Sequence, residues 1–488
     1  SGRSNGRPER FNLAAQVYGD SGDAGSNGHV AVGPPPAAPA VQTAPPSAPA
    51  AAPPSPTTGA PASQAVAEGP REPPQGRFRT FDSLRDRGFR WYLLSSLGQM
   101  ASLNMQMLVR GFLVFELTGS YAALGTLFLV NSVPGLVLSM AGGVIADRVR
   151  SKKRVVQVGQ VLNGANALVL ALLIYTDVLR FEHILVAAVV HGAVMSMMMP
   201  ARQAMLPEVV GLERLTNAVA LNAASMNAMR LMAPSLAGFL IAAFGPAWVY
   251  FLITGLYVCA TALLAPVPSE SRIERGPDGP AAAGAGTRSG GGVGEMVAGV
   301  RYIATDPEMR LLLGTAILFA VFSMPYLFLL PGFVASVLEK GPGELGLLMT
   351  LTGIGSLAGS IVVASLPAKR RGRVFLLSGV ALGISLIAFS ASTWFWVTAA
   401  IMVVVGVGDA GRQSLSMVLV QAYVQDAYRG RVMAVYMMQR SFATFGTFFV
   451  GIAASFVGAQ AAIGAIAVVL LVLSGALLLF APRLRNLD

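Results

Sequence analysis

From Phe89 onward the chain is a near-continuous succession of apolar runs, each about 20 residues long and separated by short polar or glycine-rich gaps. A helix of that length, rising 1.5 Å per residue, crosses the roughly 30 Å hydrocarbon core of a bilayer. About twelve such runs are expected to be transmembrane helices, at 90–117, 121–143, 155–176, 183–205, 216–244, 246–267, 310–338, 343–366, 374–391, 393–415, 430–457 and 459–481.

The net charge of +11 on 488 residues would by itself suit a nucleic-acid partner. Hydrophobic residues make up 54% of the chain, however, and charged ones only 12%, well below the roughly 25% of a soluble protein. The composition is that of a polytopic membrane protein with its cations concentrated in the gaps. The expected partners are therefore the lipid bilayer and a small-molecule substrate, with no nucleic acid. Cys259 is the sole cysteine and the three histidines are at 29, 183 and 191, so neither a disulfide framework nor a zinc-ligand spacing can be built, and no cofactor or metal is expected. Residues 1–80 are rich in Pro, Ala, Gly and Ser, without apolar periodicity, and read as a disordered tail. That tail lacks the apolar core of a cleavable signal.

Lys and Arg collect in every second loop. One side holds Arg85, Arg87 and Arg90, the cluster from Arg148 to Arg154, Arg202 and Arg214, Arg301 and Arg310, the cluster from Lys369 to Arg373, Arg429 and Arg431, and Arg483 and Arg485. The loops between them, "TDVLRFEH", "FGPA", "LEKGPGE", "SAST" and "VGAQ", contain one Arg and one Lys. By the preference of cations for the cytoplasmic side, both termini are expected in the cytoplasm.

Between Pro266 and Arg310 a Gly-rich polar stretch interrupts the apolar pattern. The expected organisation is a cytoplasmic tail (1–80), a six-helix bundle (81–267), a cytoplasmic linker (268–309) and a second six-helix bundle (310–488). An internal repeat supports it: "RGFLVFELTGSYAALG" at 110–125 aligns without a gap on "PGFVASVLEKGPGELG" at 331–346, and the same shift of 221 carries the basic loop at 148–154 onto 369–375. "GFLIAAFG" at 238 matches "GIAASFVG" at 451 at a different offset.

The stretches "GFLVFELTGSYAALG" (111–125), "GGVIADRVRSKKRVV" (142–156), "PARQAMLPEVVGLERLTNAVALNAASMNAMRLMAPSLAG" (200–238) and "RGRVMAVY" (429–436) are similar to the major facilitator superfamily. Within it the chain resembles the bacterial exporter branch that includes enterobactin exporters and macrolide-efflux-like proteins, over about 390 residues. The resemblance implies an all-α fold of twelve transmembrane helices in two six-helix halves, in a bacterial plasma (inner) membrane, active as a monomer. It also implies that Asp147, after the close-packing Gly143 and beside Arg148, latches the cytoplasmic gate, with Arg202, Arg429 or Arg431 as its partner. The family pattern has Gly three residues after the Asp where this chain has Arg150, and the second repeat has Ala368 in place of the acid.

Polar side chains within the bilayer are costly and mark functional positions. Asn104, Gln106 and Arg110 lie in the first span, with Gln106 and Arg110 four apart on one face. Asn131 is in the second, Asn222, Asn227 and Arg230 in the fifth, Tyr326 in the seventh, and Gln439 and Arg440 in the eleventh. The resemblance implies that helices 1, 2, 5, 7, 8 and 11 line or flank a central cavity, so these residues are candidates for it. For a single Asn or Gln, hydrogen bonding between packed helices is the alternative, and for Arg110 and Arg440 snorkelling to the surface is one.

Asp409 is the one acid placed inside a helix, a candidate for proton coupling unless it pairs with Arg412 as an (i, i+3) salt bridge. His191 titrates in the right range to be another. Pro200, Pro234, Pro325 and Pro331 are expected to kink their helices. No catalytic constellation and no P-loop "GxxxxGK[ST]" occur, so neither an enzyme nor an ATP-driven pump is expected. The functional expectation is a secondary active antiporter exporting amphipathic drugs, macrolides or siderophores. An uncoupled facilitator, a lipid or lysolipid transporter, and a non-transporting membrane sensor are the alternatives.

Overall fold

The computed structural model describes residues 83–148, 151–211, 214–267, 293–366 and 369–487; for 136–148 and 293–297 the description covers the backbone alone. The described chain is helical. The first six helices are α1 (Arg87–Thr118), α2 (Tyr121–Arg148), α3 (Lys152–Tyr175), α4 (Phe181–Val210), α5 (Leu215–Phe244) and α6 (Pro246–Leu264). A short α7 (Val293–Thr305) follows, then α8 (Pro307–Ser323), α9 (Pro325–Ser336), α10 (Pro342–Ser365), α11 (Arg371–Ala391) and α12 (Phe395–Tyr423). The chain ends in α13 (Arg429–Met437), α14 (Gln439–Val457), α15 (Ala459–Phe480) and the single turn α16 (Pro482–Arg485).

Ten spans among the described residues are long and apolar enough to cross a membrane: α3, α4, α5, α6, α8 with α9, α10, α11, α12, the segment Asp426–Val457 that contains α13 and α14, and α15. α1 is the longest single helix at 32 residues, but Gln99, Asn104, Gln106 and Arg110 interrupt its apolar run. Large apolar side chains stay exposed around the bundle, Phe456 at 84% and Phe480 at 82% among them. A water-soluble surface would not leave so much apolar area uncovered, whereas acyl chains cover it.

Local chemistry sets the helix ends. Gly119, at φ 59°, ends α1 in the left-handed conformation and donates its N–H to the Phe115 carbonyl at 2.8 Å. Asp306 caps α8 by accepting from the N–H groups of Glu308 and Met309, with Pro307 in the first helical position. The expected single span 310–338 is broken at Pro325, which has no N–H for the helical ladder. The span expected at 430–457 is broken at Met438, which puts Arg440 in the first turn of α14.

The linker expected at 268–309 is not irregular throughout, because 293–305 forms α7. Gly299, Tyr302 and Ile303, at (i, i+3, i+4) spacing, make its more buried face. That face packs on α13 and the turn just before it: a Cβ on Gly299 would meet the Arg431 Cβ at 2.9 Å, and the Tyr302 ring stacks on Tyr428 with centroids 4.3 Å apart.

In the first six helices the main packing pairs are α2 with α4, α3 with α4 and α6, and α1 with α5 and α6; after the linker they are α10 with α12, α11 with α12 and α15, and α8 with α14. These sets join along two seams, α2 against α14 and α5 against α10. Small residues make both seams close. A Cβ on Gly125 would meet the Phe448 Cα at 2.9 Å, and one on Gly346 would meet the Pro234 carbonyl at 2.8 Å. Hydroxyl groups tie the same ends: Tyr121 to Ser336 at 2.6 Å, Ser455 to the Ala122 N–H at 3.0 Å, and Ser235 to Thr350. These contacts lie at the end of the bundle bearing the cation-poor loops.

Candidate functional site

Asp409 and Arg412 lie one turn apart in the middle of α12. Arg412 donates through Nη2 at 2.7 Å and Nε at 3.2 Å to Asp409 Oδ1, while Gln413 Nε2 donates to Oδ2 at 3.0 Å. Arg412 is 1% exposed and Asp409 9% exposed. The carboxylate thus has a cation on one oxygen and an amide on the other, the compensation a buried charge requires. This is the (i, i+3) salt bridge weighed above against proton coupling, and it sits at the middle of the helix.

Other charges converge on this pair from different helices. Tyr326 of α9 feels Asp409, Arg230 of α5 and Arg412, and Arg440 of α14 feels Arg230, Asp409 and Arg412. The group therefore holds three guanidiniums and one carboxylate. Arg230 lies halfway along α5, and both Arg230 and Arg440 keep exposed surface although they couple to a buried ion pair. Gln439, next to Arg440, has its Oε1 buried without a hydrogen-bond partner. Arg forks match carboxylates and other planar anions in paired hydrogen bonds, and the effect strengthens where water is scarce.

Gln106 and Arg110 do not join this group. They turn into the interior of the first six helices, where Arg110 acts on His191, Tyr250 and Tyr257. His191 Nδ1 is 3.0 Å from Asn163 Oδ1. Gln160 Nε2 donates to Ser95 Oγ and Gln99 Oε1, both at 3.2 Å. Asn163, Gln160, Gln99 and Tyr257 were not singled out from the sequence, although a polar residue in an apolar run was the signal that marked their neighbours. Asn104 donates to the Met100 carbonyl of its own helix at 2.7 Å, and Asn222 Oδ1 accepts from Ser96 Oγ at 3.2 Å. Asn131 packs its backbone carbonyl on Gly192, its Oδ1 is buried without a partner, and Asn227 is exposed.

The side chains of Gly143, Asp147 and Arg148 lie outside the described residues. Of their expected partners, Arg202 is 3% exposed with its guanidinium 5.4 Å from the Tyr92 ring centroid. None of its three guanidinium nitrogens makes a hydrogen bond of full geometry, although the Tyr92 hydroxyl lies within reach. Arg431 stands 5.7 Å over the Tyr428 ring, and Glu208, in the last turn of α4, pairs with Lys152 at 2.7 Å.

The family model described as "transmembrane secretion effector" matches residues 79–488. A staphyloferrin A transporter from Staphylococcus aureus is 23% identical over 340 residues, covering 69% of this chain and 81% of that protein. Among solved structures, the nucleoside transporter NupG has a TM-score of 0.63 at 14% identity, over 80% of this chain and 99% of its own. A bacterial homologue of the iron transporter ferroportin, in an inward-facing state, has a TM-score of 0.61 at 18% identity, over 80% of this chain and 98% of its own. With that match running through every described helix, and the fold shared with membrane transporters, the chain belongs to the transmembrane secretion effector family of major facilitator transporters.

Proposed function

We propose that this protein is a secondary active exporter of amphipathic small molecules, working by alternating access and proton antiport, with anionic cargo of the siderophore class favoured over neutral macrolides or cationic drugs. The observation that carries the reading is the electrostatic group of Arg230, Arg412 and Arg440 with Asp409 and Tyr326, in which positive charge outnumbers negative midway along α5 and α12. An anionic cargo supplies the missing charge. The staphyloferrin A transporter among its relatives supports the same class.

In this reading α1 and α2 complete twelve spans in two six-helix halves, in a bacterial plasma membrane with both termini cytoplasmic. The seams between α2 and α14 and between α5 and α10 close the outer end, so the conformation is inward-facing. Asp147 latches the opposite end in the alternate state, with Arg202 or Arg431 as its partner. Asn227 and Gln439 flank the cargo site.

The test is accumulation in everted membrane vesicles of a catecholate siderophore, a macrolide and a cationic dye, with and without an imposed pH gradient. Gradient-driven accumulation of the siderophore supports the reading, and indifference to all three overturns it. One observation favours a second reading, an uncoupled facilitator: both oxygens of Asp409 are already engaged. A facilitator equilibrates its cargo and ignores the gradient.

A further inference from the structure

The helices α1, α3, α4 and α6 enclose a second polar region, distinct from the group around Asp409. At its heart is Arg110, 5% exposed, whose Nε and Nη2 are buried without a hydrogen-bond partner. Gln106 lies one turn earlier on the same face of α1, 1% exposed, with both ends of its amide unsatisfied. The hydroxyls of Tyr250 and Tyr257 on α6 are buried without a hydrogen bond of full geometry; Tyr250 lies within reach of the Arg110 guanidinium, and Tyr257 feels its charge. Asn163 Nδ2 is also unpartnered, because its amide meets His191 through Oδ1.

These loose ends are not random in kind. The guanidinium and the amide N–H groups are donors and the two phenols each carry an O–H to give, and against them stand the unpartnered oxygens of Gln106 and Gln160 and, on α2, of Asn131. No carboxylate balances the guanidinium: the acids of α1 to α6 with described side chains, Glu116, Glu182 and Glu208, lie at helix ends. A guanidinium cannot shed its proton, and a buried cation without a counter-charge is among the costliest features a fold can contain. The region calls for a guest that is negative, compact and donates nothing.

We propose that a small monovalent anion, chloride in the cell, is bound inside the first six-helix bundle by Arg110, with the Tyr250 and Tyr257 hydroxyls and the Gln106 amide as further donors. The anion neutralises the interior of the bundle and holds α1 against α6 independently of the transported cargo.

The test is thermal unfolding of the full-length protein in detergent, in sodium chloride or bromide against sodium gluconate at equal ionic strength. Chloride and bromide are expected to raise the melting temperature saturably over gluconate, since a ligand of the native state alone stabilises it by mass action. Tyr250→Phe and Tyr257→Phe keep the rings and remove one donor each, and are expected to raise the half-saturating chloride concentration about tenfold. Arg110→Gln is expected to lose the response and to melt no lower than wild type in gluconate, because it no longer buries an uncompensated charge. In bromide-soaked crystals an anomalous peak is expected within hydrogen-bond reach of Arg110 Nη2. Equal melting in bromide and gluconate overturns the proposal and assigns the donors to trapped water; a response that survives in Arg110→Gln overturns it as well.

Discussion

Gly238 and Gly346 meet backbone to backbone where α5 crosses α10: a Cβ on Gly238 would lie 3.1 Å from the Gly346 Cα and would clash with the Pro342 carbonyl. Gly451 and Gly125 reproduce the contact where α14 crosses α2, with a Cβ on Gly451 at 2.6 Å from the Tyr121 carbonyl and 3.3 Å from the Gly125 Cα. Gly125 and Gly346 are matched by the internal repeat, as are Tyr121 and Pro342, and Gly238 matches Gly451. One contact has been used twice, once in each seam.

Prying one seam apart should therefore shift the conformational balance. Gly238→Leu puts a side chain where only backbone fits, at a cost of about 1–3 kcal/mol from overpacking. In a Cys259→Ser background, a cysteine introduced at Ser336 should react faster with an impermeant thiol reagent added from the outside. Unchanged labelling would mean that the seam does not close the outer end.

Arg230→Gln keeps a hydrogen-bonding group and removes the charge. Losing one charge-assisted hydrogen bond, worth about 1.5–3 kcal/mol, should weaken anionic cargo about tenfold or more. Cationic cargo should be spared. Equal losses for both in vesicle transport would point to a packing role for this side chain.

Arg412→Leu strands the buried Asp409 carboxylate, and breaking such a pair costs about 3–5 kcal/mol. The double variant Asp409→Asn with Arg412→Leu should recover much of the melting temperature that the single variant loses. If Asp409 carries the proton, Asp409→Asn should also abolish the response of transport to an imposed pH gradient, measured as siderophore accumulation in everted vesicles.

Asp147→Asn should lower turnover while leaving membrane insertion and expression unchanged. Normal turnover in a well-folded variant would remove the latch from the mechanism.

Tyr302→Ala deletes the stack on Tyr428, an aromatic contact worth about 0.5–1.5 kcal/mol. Amide hydrogen exchange over 298–305 should accelerate as α7 loosens from α13. Exchange equal to wild type would show that the face around Gly299 holds the helix unaided.

Helix positions were legible because a bilayer imposes a length: the expected spans at 121, 246, 343 and 459 begin within a residue of the helices found. The breaks were harder to read. Pro325 announced one of them, whereas the break at Met438 has no proline or glycine to mark it. α7 was hidden because thirteen residues beside a Gly-rich stretch carry too few turns of periodicity to stand out. Among candidate site residues, the polar-in-apolar rule marked members of both groups without telling them apart, and passed over Gln99, Gln160, Asn163 and Tyr257. Arg110 and Arg230 look alike as single charges in apolar runs, yet one faces α4 and α6 and the other α12 and α14.

By itself the sequence determined that this chain crosses a membrane many times, that its cations collect in alternate gaps between the apolar runs, and that a pattern of small residues recurs along the chain. Those properties follow from local composition and spacing, to which lipid and water respond directly. Only the tertiary structure decided which charges share a site, because the facing of each helix depends on how its neighbours pack. It drew Arg230, Asp409, Arg412 and Arg440 together across more than 200 residues of chain, and enclosed Arg110 among polar groups that no described carboxylate meets.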